Sequence, residues 1–198
     1  MLLRPMSDSA QGFIVLGAAR TKVQRSLGSR RLSAFLASGP GKALRLWPQV
    51  EGEAAEEAAT ALSRELPGSR VLVFSTGEDT LKVGAHVDGA CQTREEVALR
   101  MRTAKQLAQA HAALQRVSTA LDFKGHRPTL LRDGESRPGF LALAGVKEDD
   151  IASLSYARLA EARQHPGAPD AARFQGFFFV DEQGKAHPFF SSDSGQES

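Results

Sequence analysis

The sequence predicts an α+β protein: a central ferredoxin-like βαββαβ unit with an N-terminal strand and helix and a C-terminal helix plus β-hairpin. Three observations predict it. Over 42–133 apolar runs of strand length alternate with helical stripes in the order strand, helix, strand, strand, helix, strand. Ahead of this a glycine-flanked apolar run precedes a short helical pattern. Near the end, two Phe-rich runs flank a turn at Gly184. The predicted division is a basic strand-helix element at 1–41, the ferredoxin-like unit at 42–133, a C-terminal helix and aromatic hairpin at 134–190, and a tail at 191–198, too polar to pack.

The elements are justified in chain order. "GFIVLGA" (12–18) is a short apolar run between glycines, the pattern of a strand covered on both faces. Ser29 caps a short predicted helix through "RRLSAFLA", ended by Gly39 and Pro40. "KALRLW" (42–47) places Leu44 and Leu46 on one face of a strand. Residues 52–66 combine high helix propensity, early acids that suit the helix dipole, and a stripe at Ala55, Ala58, Leu62 and Leu66. "RVLVFS" (70–75) is a buried strand, and "LKVGAHVD" (81–88) an amphipathic one. Thr93 and Glu96 have the spacing of a capping box, which opens a predicted helix over 94–122. "PTLLR" (128–132) closes the unit; "FLALAG" (140–145) is a further strand. Asp149 or Asp150 caps a helix through about Arg163, and 173–180 pairs with 185–190 as the hairpin.

Composition excludes more than it identifies. The 198 residues are 41% apolar and 24% charged, ordinary for a globular chain. No run approaches the roughly 18 apolar residues of a membrane span, so no membrane partner is expected. The start lacks a signal-peptide core, and one cysteine, Cys91, cannot form an internal disulfide, so a cytoplasmic protein is expected. Arg outnumbers Lys 18 to 7, which with abundant alanine points to a GC-rich bacterial genome. Residues 1–50 hold eight cations against Asp8, a net +7 that leaves −5 on the remainder. That basic start reads as a solvated face, a targeting segment, or a phosphate-binding surface through Arg20, Lys22, Arg25, Arg30 and Arg31.

The candidate sites rank by chemistry. "QGFFFVDE" (175–182) meets four of the seven specified positions of the aromatic RNA-recognition strand, but Gln175 replaces the base, Phe178 the small residue and Glu182 the last aromatic. Only 16 residues follow it, too few for the helix and strand which that motif requires. The same strand therefore reads as half of a hairpin. Its Phe174, Phe177, Phe178, Phe179, Phe189 and Phe190 must find cover on both faces, from the preceding helix or from a protein partner.

His86, Asp88 and Cys91 form the densest reactive set. Alternation puts His86 and Asp88 on the solvent side of the strand, and the predicted helix start would lower the Cys91 pKa. A thiol and imidazole along one extended strand stand too far apart unless the chain turns at Gly89. The glycine-lysine at 41–42 lacks the rest of a phosphate loop, and no zinc spacing exists with one cysteine and scattered histidines, so no cofactor and no metal are expected. The leading expectation is a non-catalytic binding or adaptor protein, a subunit of a bacterial assembly, whose Phe-rich hairpin contacts a protein partner or a second copy. The alternatives are a nucleic-acid-binding accessory protein using the arginine-rich start, and a cysteine-dependent enzyme.

Overall fold

The purest apolar run in the sequence takes the most covered place in the molecule. In the computed structural model, which describes residues 11–38, 43–77, 79–98, 103–122 and 154–191, strand β1 (Gln11–Leu16) lies inside the sheet. Its Phe13, Ile14 and Val15 are at most 1% exposed, each side chain contributing about 1.5–3 kcal/mol by leaving water. Alternation divides them, with Phe13 and Val15 on one face and Ile14 on the other.

The chain continues as α1 (Arg20–Ser29), β2 (Ala34–Ser38), β3 (Leu44–Pro48), α2 (Gly52–Glu65), β4 (Arg70–Thr76), β5 (Thr80–Val87), β6 (Ala90–Ala98) and α3 (Ala104–Ala120). After residue 153 come α4 (Tyr156–Arg163), a 3-10 turn (Ala171–Phe174), β7 (Phe177–Val180) and β8 (Ala186–Pro188). Among the described residues, eight strands join one antiparallel sheet in the order β6-β5-β4-β1-β3-β2-β7-β8. Helices α1 and α2 cover one face, where Val23, Leu27, Ala55, Ala59 and Leu62 meet Phe13, Val15, Leu46 and Val73. On the other face, α3 covers the β4-β5 half, and α4 with the 3-10 turn covers the β2-β7 half.

Three expectations are corrected. The helix expected through 30–37 is displaced: the helix is Arg20–Ser29, and Ala34–Ser38 is a strand buried on both sides up to Ala37. Phe35 and Ala37 serve one core and Ala34 and Leu36 the other, a demand that period-2 alternation meets and a helix does not. The helix expected over 94–122 begins ten residues late. Thr103, not Thr93, holds the capping box: its Oγ1 accepts from Gln106 N at 3.1 Å, and Gln106 Oε1 accepts from Thr103 N at 3.3 Å. Residues 90–98 are instead strand β6, because Asp88 and Gly89 adopt φ of +51° and +78°, the double left-handed conformation of a tight hairpin turn.

The third correction follows from the second. With β6 in place of a helix, the four-stranded unit expected over 42–133 does not form as such; the sheet extends to eight strands. The order strand, helix, strand, strand, helix, strand runs instead over 11–76, where the strands stand as β4-β1-β3-β2 with both helices on one face. "PTLLR", "FLALAG" and Asp149–Asp150 lie outside the described residues, and α4 is capped by Ser155, whose Oγ accepts from Arg158 N. The tail expected at 191–198 is described only at Ser191.

Candidate functional site

The turn at Asp88 and Gly89 folds β6 back on β5, so His86 and Cys91 are direct cross-strand partners. A bulge next to this pair shifts the register, with Ala85 opposite Thr93 and His86 opposite Cys91. The extra residue, Gln92, realigns the strand: without it, alternation would send Cys91 and Arg94 to opposite faces, whereas here both approach Glu56. His86 is 1% exposed, not solvent-facing as alternation from Asp88 implied. Asp88 is an exposed turn residue and does not join it.

Helix α2 supplies the other half. Glu56 and Thr60, one helical turn apart, project onto the same strand pair. Thr60 Oγ1 lies 3.0 Å from His86 Nδ1, and Glu56 Oε2 lies 2.8 Å from His86 Nε2 and 3.2 Å from Arg94 Nη2. The carboxylate stands at ion-pair distance from this buried nitrogen but off the line of a well-formed hydrogen bond. One imidazole nitrogen, a Glu56 oxygen and Cys91 Sγ lie within 4.8 Å of one another. Gly84, two residues before His86, leaves the floor open; a Cβ there would stand 3.4 Å from Nε2 and 3.7 Å from both Glu56 oxygens.

The electrostatics bear on the cysteine. The imidazole beside it holds the Glu56 carboxyl below its ordinary range against the opposing effect of burial, with Arg94 adding to the lowering. Loss of hydration pushes the Cys91 thiol up, and the Glu56 charge adds to this, while Arg94 and the Thr93 backbone partly offset it. The activation expected from a helix N-terminus is absent, since Cys91 stands in β6. In a thiol-imidazole-carboxylate relay, one ring nitrogen faces the thiol and the other the carboxylate. Here the two nitrogens face Glu56 and Thr60.

The aromatic hairpin occupies the other end of the sheet. Phe174, Phe177 and Phe189 are buried with Phe35, Trp47 and Leu159; Phe174 stacks on Phe189 at 4.7 Å and Trp47 on Phe177 at 5.4 Å. Phe178, on the opposite face, lies under the Arg20 guanidinium at 4.6 Å. Phe179 and Phe190 stay half-buried on the wall of a cleft of about 520 Å³, with Phe35, Tyr156, Arg163 and Gln164. Arg163 is held across it, Nε donating to Phe189 O at 2.8 Å and the guanidinium 4.4 Å over Phe179. The chain's own elements thus bury Phe174, Phe177 and Phe189, while Phe178, Phe179 and Phe190 remain half-buried, the last two on the cleft wall.

Of the five N-terminal cations, Arg20, Lys22 and Arg25 lie on α1, Arg30 is its C-terminal cap and Arg31 follows the cap; all are exposed. They do not form one stripe: Arg20 covers Phe178, Lys22 and Arg25 line a cleft that also holds Glu65, and Arg30 pairs with Glu65. Glu56, Thr60, Gly84 and Arg94 are the site residues that sequence reasoning missed. The Asp88-Gly89 dipeptide, the strongest local hairpin signal, was the available clue. No family model matches the chain, and no curated protein or solved structure shows significant similarity to it.

Proposed function

We propose that this chain is a non-catalytic binding protein that receives a protein partner in the cleft between α4 and the β7-β8 hairpin. The observation that carries the reading is the cleft wall: in an aromatic cluster otherwise sealed by its own helix, Phe179 and Phe190 keep faces on about 520 Å³ of open space. The Arg163 guanidinium beside these rings selects the chemistry of the occupant, an apolar side chain next to a carboxylate. Phosphate binding through α1 has less support, because Glu65 takes up Arg30 and sits in the cleft lined by Lys22 and Arg25. The thiol held above its ordinary pKa argues against a cysteine nucleophile.

The order of elements over 11–76 further supports reading that segment as a ferredoxin-like unit, extended by β5-β6 on one side and β7-β8 on the other. The lone cysteine fits a reducing, cytoplasmic setting.

A photo-crosslinking residue at position 190 tests the reading in the native host's extract. It should capture a defined protein through a segment carrying an apolar residue beside an acid. Phe179→Asp should abolish co-purification of that protein, while Phe178→Asp, on the face under Arg20, should not. Unchanged co-purification with Phe179→Asp would remove the proposal.

A further inference from the structure

We propose that Glu56, His86 and Cys91 form a binding site for a divalent transition-metal ion of the zinc class. The donors are one carboxylate oxygen, one imidazole nitrogen and one sulfur, the mixed set that suits a borderline-soft ion. Their mutual spacing, within 4.8 Å, lets a single ion reach all three with side-chain adjustments on the order of 1 Å from the ligand spacing a tetrahedral ion sets.

Several independent features point into the same space. His86 Nε2 is buried, and the Glu56 carboxylate 2.8 Å away stands off the line of a well-formed hydrogen bond, so an ion between the two can replace an imperfect contact. The other ring nitrogen faces the Thr60 hydroxyl; with Nδ1–H donating there, Nε2 carries the lone pair a metal needs. Gly84 keeps the floor clear of side-chain atoms. The β6 bulge brings Cys91 to the face where Glu56 stands. Charge also balances, since a carboxylate and a thiolate together neutralise a doubly charged cation. Binding releases the Cys91 proton to solvent, which the ion drives although the thiol alone holds it. Arg94 must leave Glu56, at small cost because its side chain is 62% exposed. Cys91 is exposed, so the fourth tetrahedral position opens toward water.

Cobalt(II) added to the full-length, reduced protein tests the site, because thiolate ligation has its own near-ultraviolet charge-transfer band. The expected result is that band at one equivalent of Co²⁺, displaced by Zn²⁺ and absent in Cys91→Ser. His86→Gln and Glu56→Gln should weaken binding by ~10-fold or more, and Thr60→Val, which loses only the orienting hydroxyl, by ~10- to 100-fold. Gly84→Val, which places a side chain against His86 Nε2 and Glu56 while leaving all three donors in the chain, should also suppress the band; circular dichroism checks that each variant retains the native fold. No charge-transfer band in excess Co²⁺, or a band indifferent to both His86→Gln and Glu56→Gln, would overturn the assignment.

Discussion

Gly184 and Gly28 decide how the aromatic hairpin is anchored. The β7-β8 turn lies against α1 so closely that a Cβ on Gly28 would stand 2.6 Å from Gln183 O, and one on Gly184 would overlap Gln24 O. Gly184 also has φ of +79°, so a side chain there meets both backbone strain and overlap. Gly184→Ala should destabilise the fold by about 2–4 kcal/mol, read from the urea midpoint. In the same turn Asp181 accepts from Gln183 N at 3.0 Å and Lys185 N at 2.9 Å, and its other oxygen lies 2.7 Å from His187 Nε2. The His187 imidazole first, then the Lys185 amide, hold its carboxyl below the ordinary carboxylate range. A carboxyl depressed by folding stabilises above its unfolded pKa and loses that contribution as pH falls through the folded value. The stability gap between the native protein and Asp181→Asn should therefore be widest near neutrality and narrow below about pH 4, in urea titrations across pH. None of this was legible from the sequence beyond the turn glycine, because a close approach between α1 and the hairpin joins residues some 150 positions apart.

Elements were legible where local pattern and tertiary demand agreed. Strands β1, β4 and β5 and helix α2 stand within a residue or two of the predicted ranges, since their apolar period matches the layer they face. The α3 start was misread because two segments satisfy one capping pattern, Thr93 with Glu96 and Thr103 with Gln106. Cross-strand pairing decided between them: Thr93, Glu95 and Val97 stand opposite Ala85, Val83 and Leu81 of β5, and Val97 is buried against α3, so 90–98 is a strand beside that helix. The two threonines should separate by mutation. Thr103→Ala should cost about 1 kcal/mol through the lost cap, and Thr93→Ala about half that or less, measured by chemical denaturation. The Glu56, His86 and Cys91 cluster was hidden for the same reason. A helical reading of 94–122 carries Cys91 away from His86, and only the hairpin turn at Asp88 and Gly89 returns it.

At the scale of the molecule, stability should fall from the centre of the sheet to its edges. Strand β1 has β3 on one side and β4 on the other, α1 and α2 over one face, and the α3-side core beneath the other, so its amides have no route to water except through opening of the sheet. Strand β6 lies last in the order at one end, its residues mostly exposed up to Val97, and β8 is a three-residue strand at the other. Hydrogen exchange should follow this gradient: the Phe13, Ile14 and Val15 amides should exchange only with global unfolding, and those of β6 from Cys91 to Arg94 through local opening. Ile14→Ala, which empties a fully buried position in the strand shared by both layers, should lower global stability by about 2–5 kcal/mol. It should accelerate exchange at β1, β3 and β4 by one common factor. The sheet ends that carry the Cys91 cluster and the Phe190 cleft then have freedom to adjust to a ligand while the centre stays closed. Exchange at β1 as fast as at β6 would mean that the sheet opens as one unit, and the separation of a rigid centre from adaptable edges would be lost.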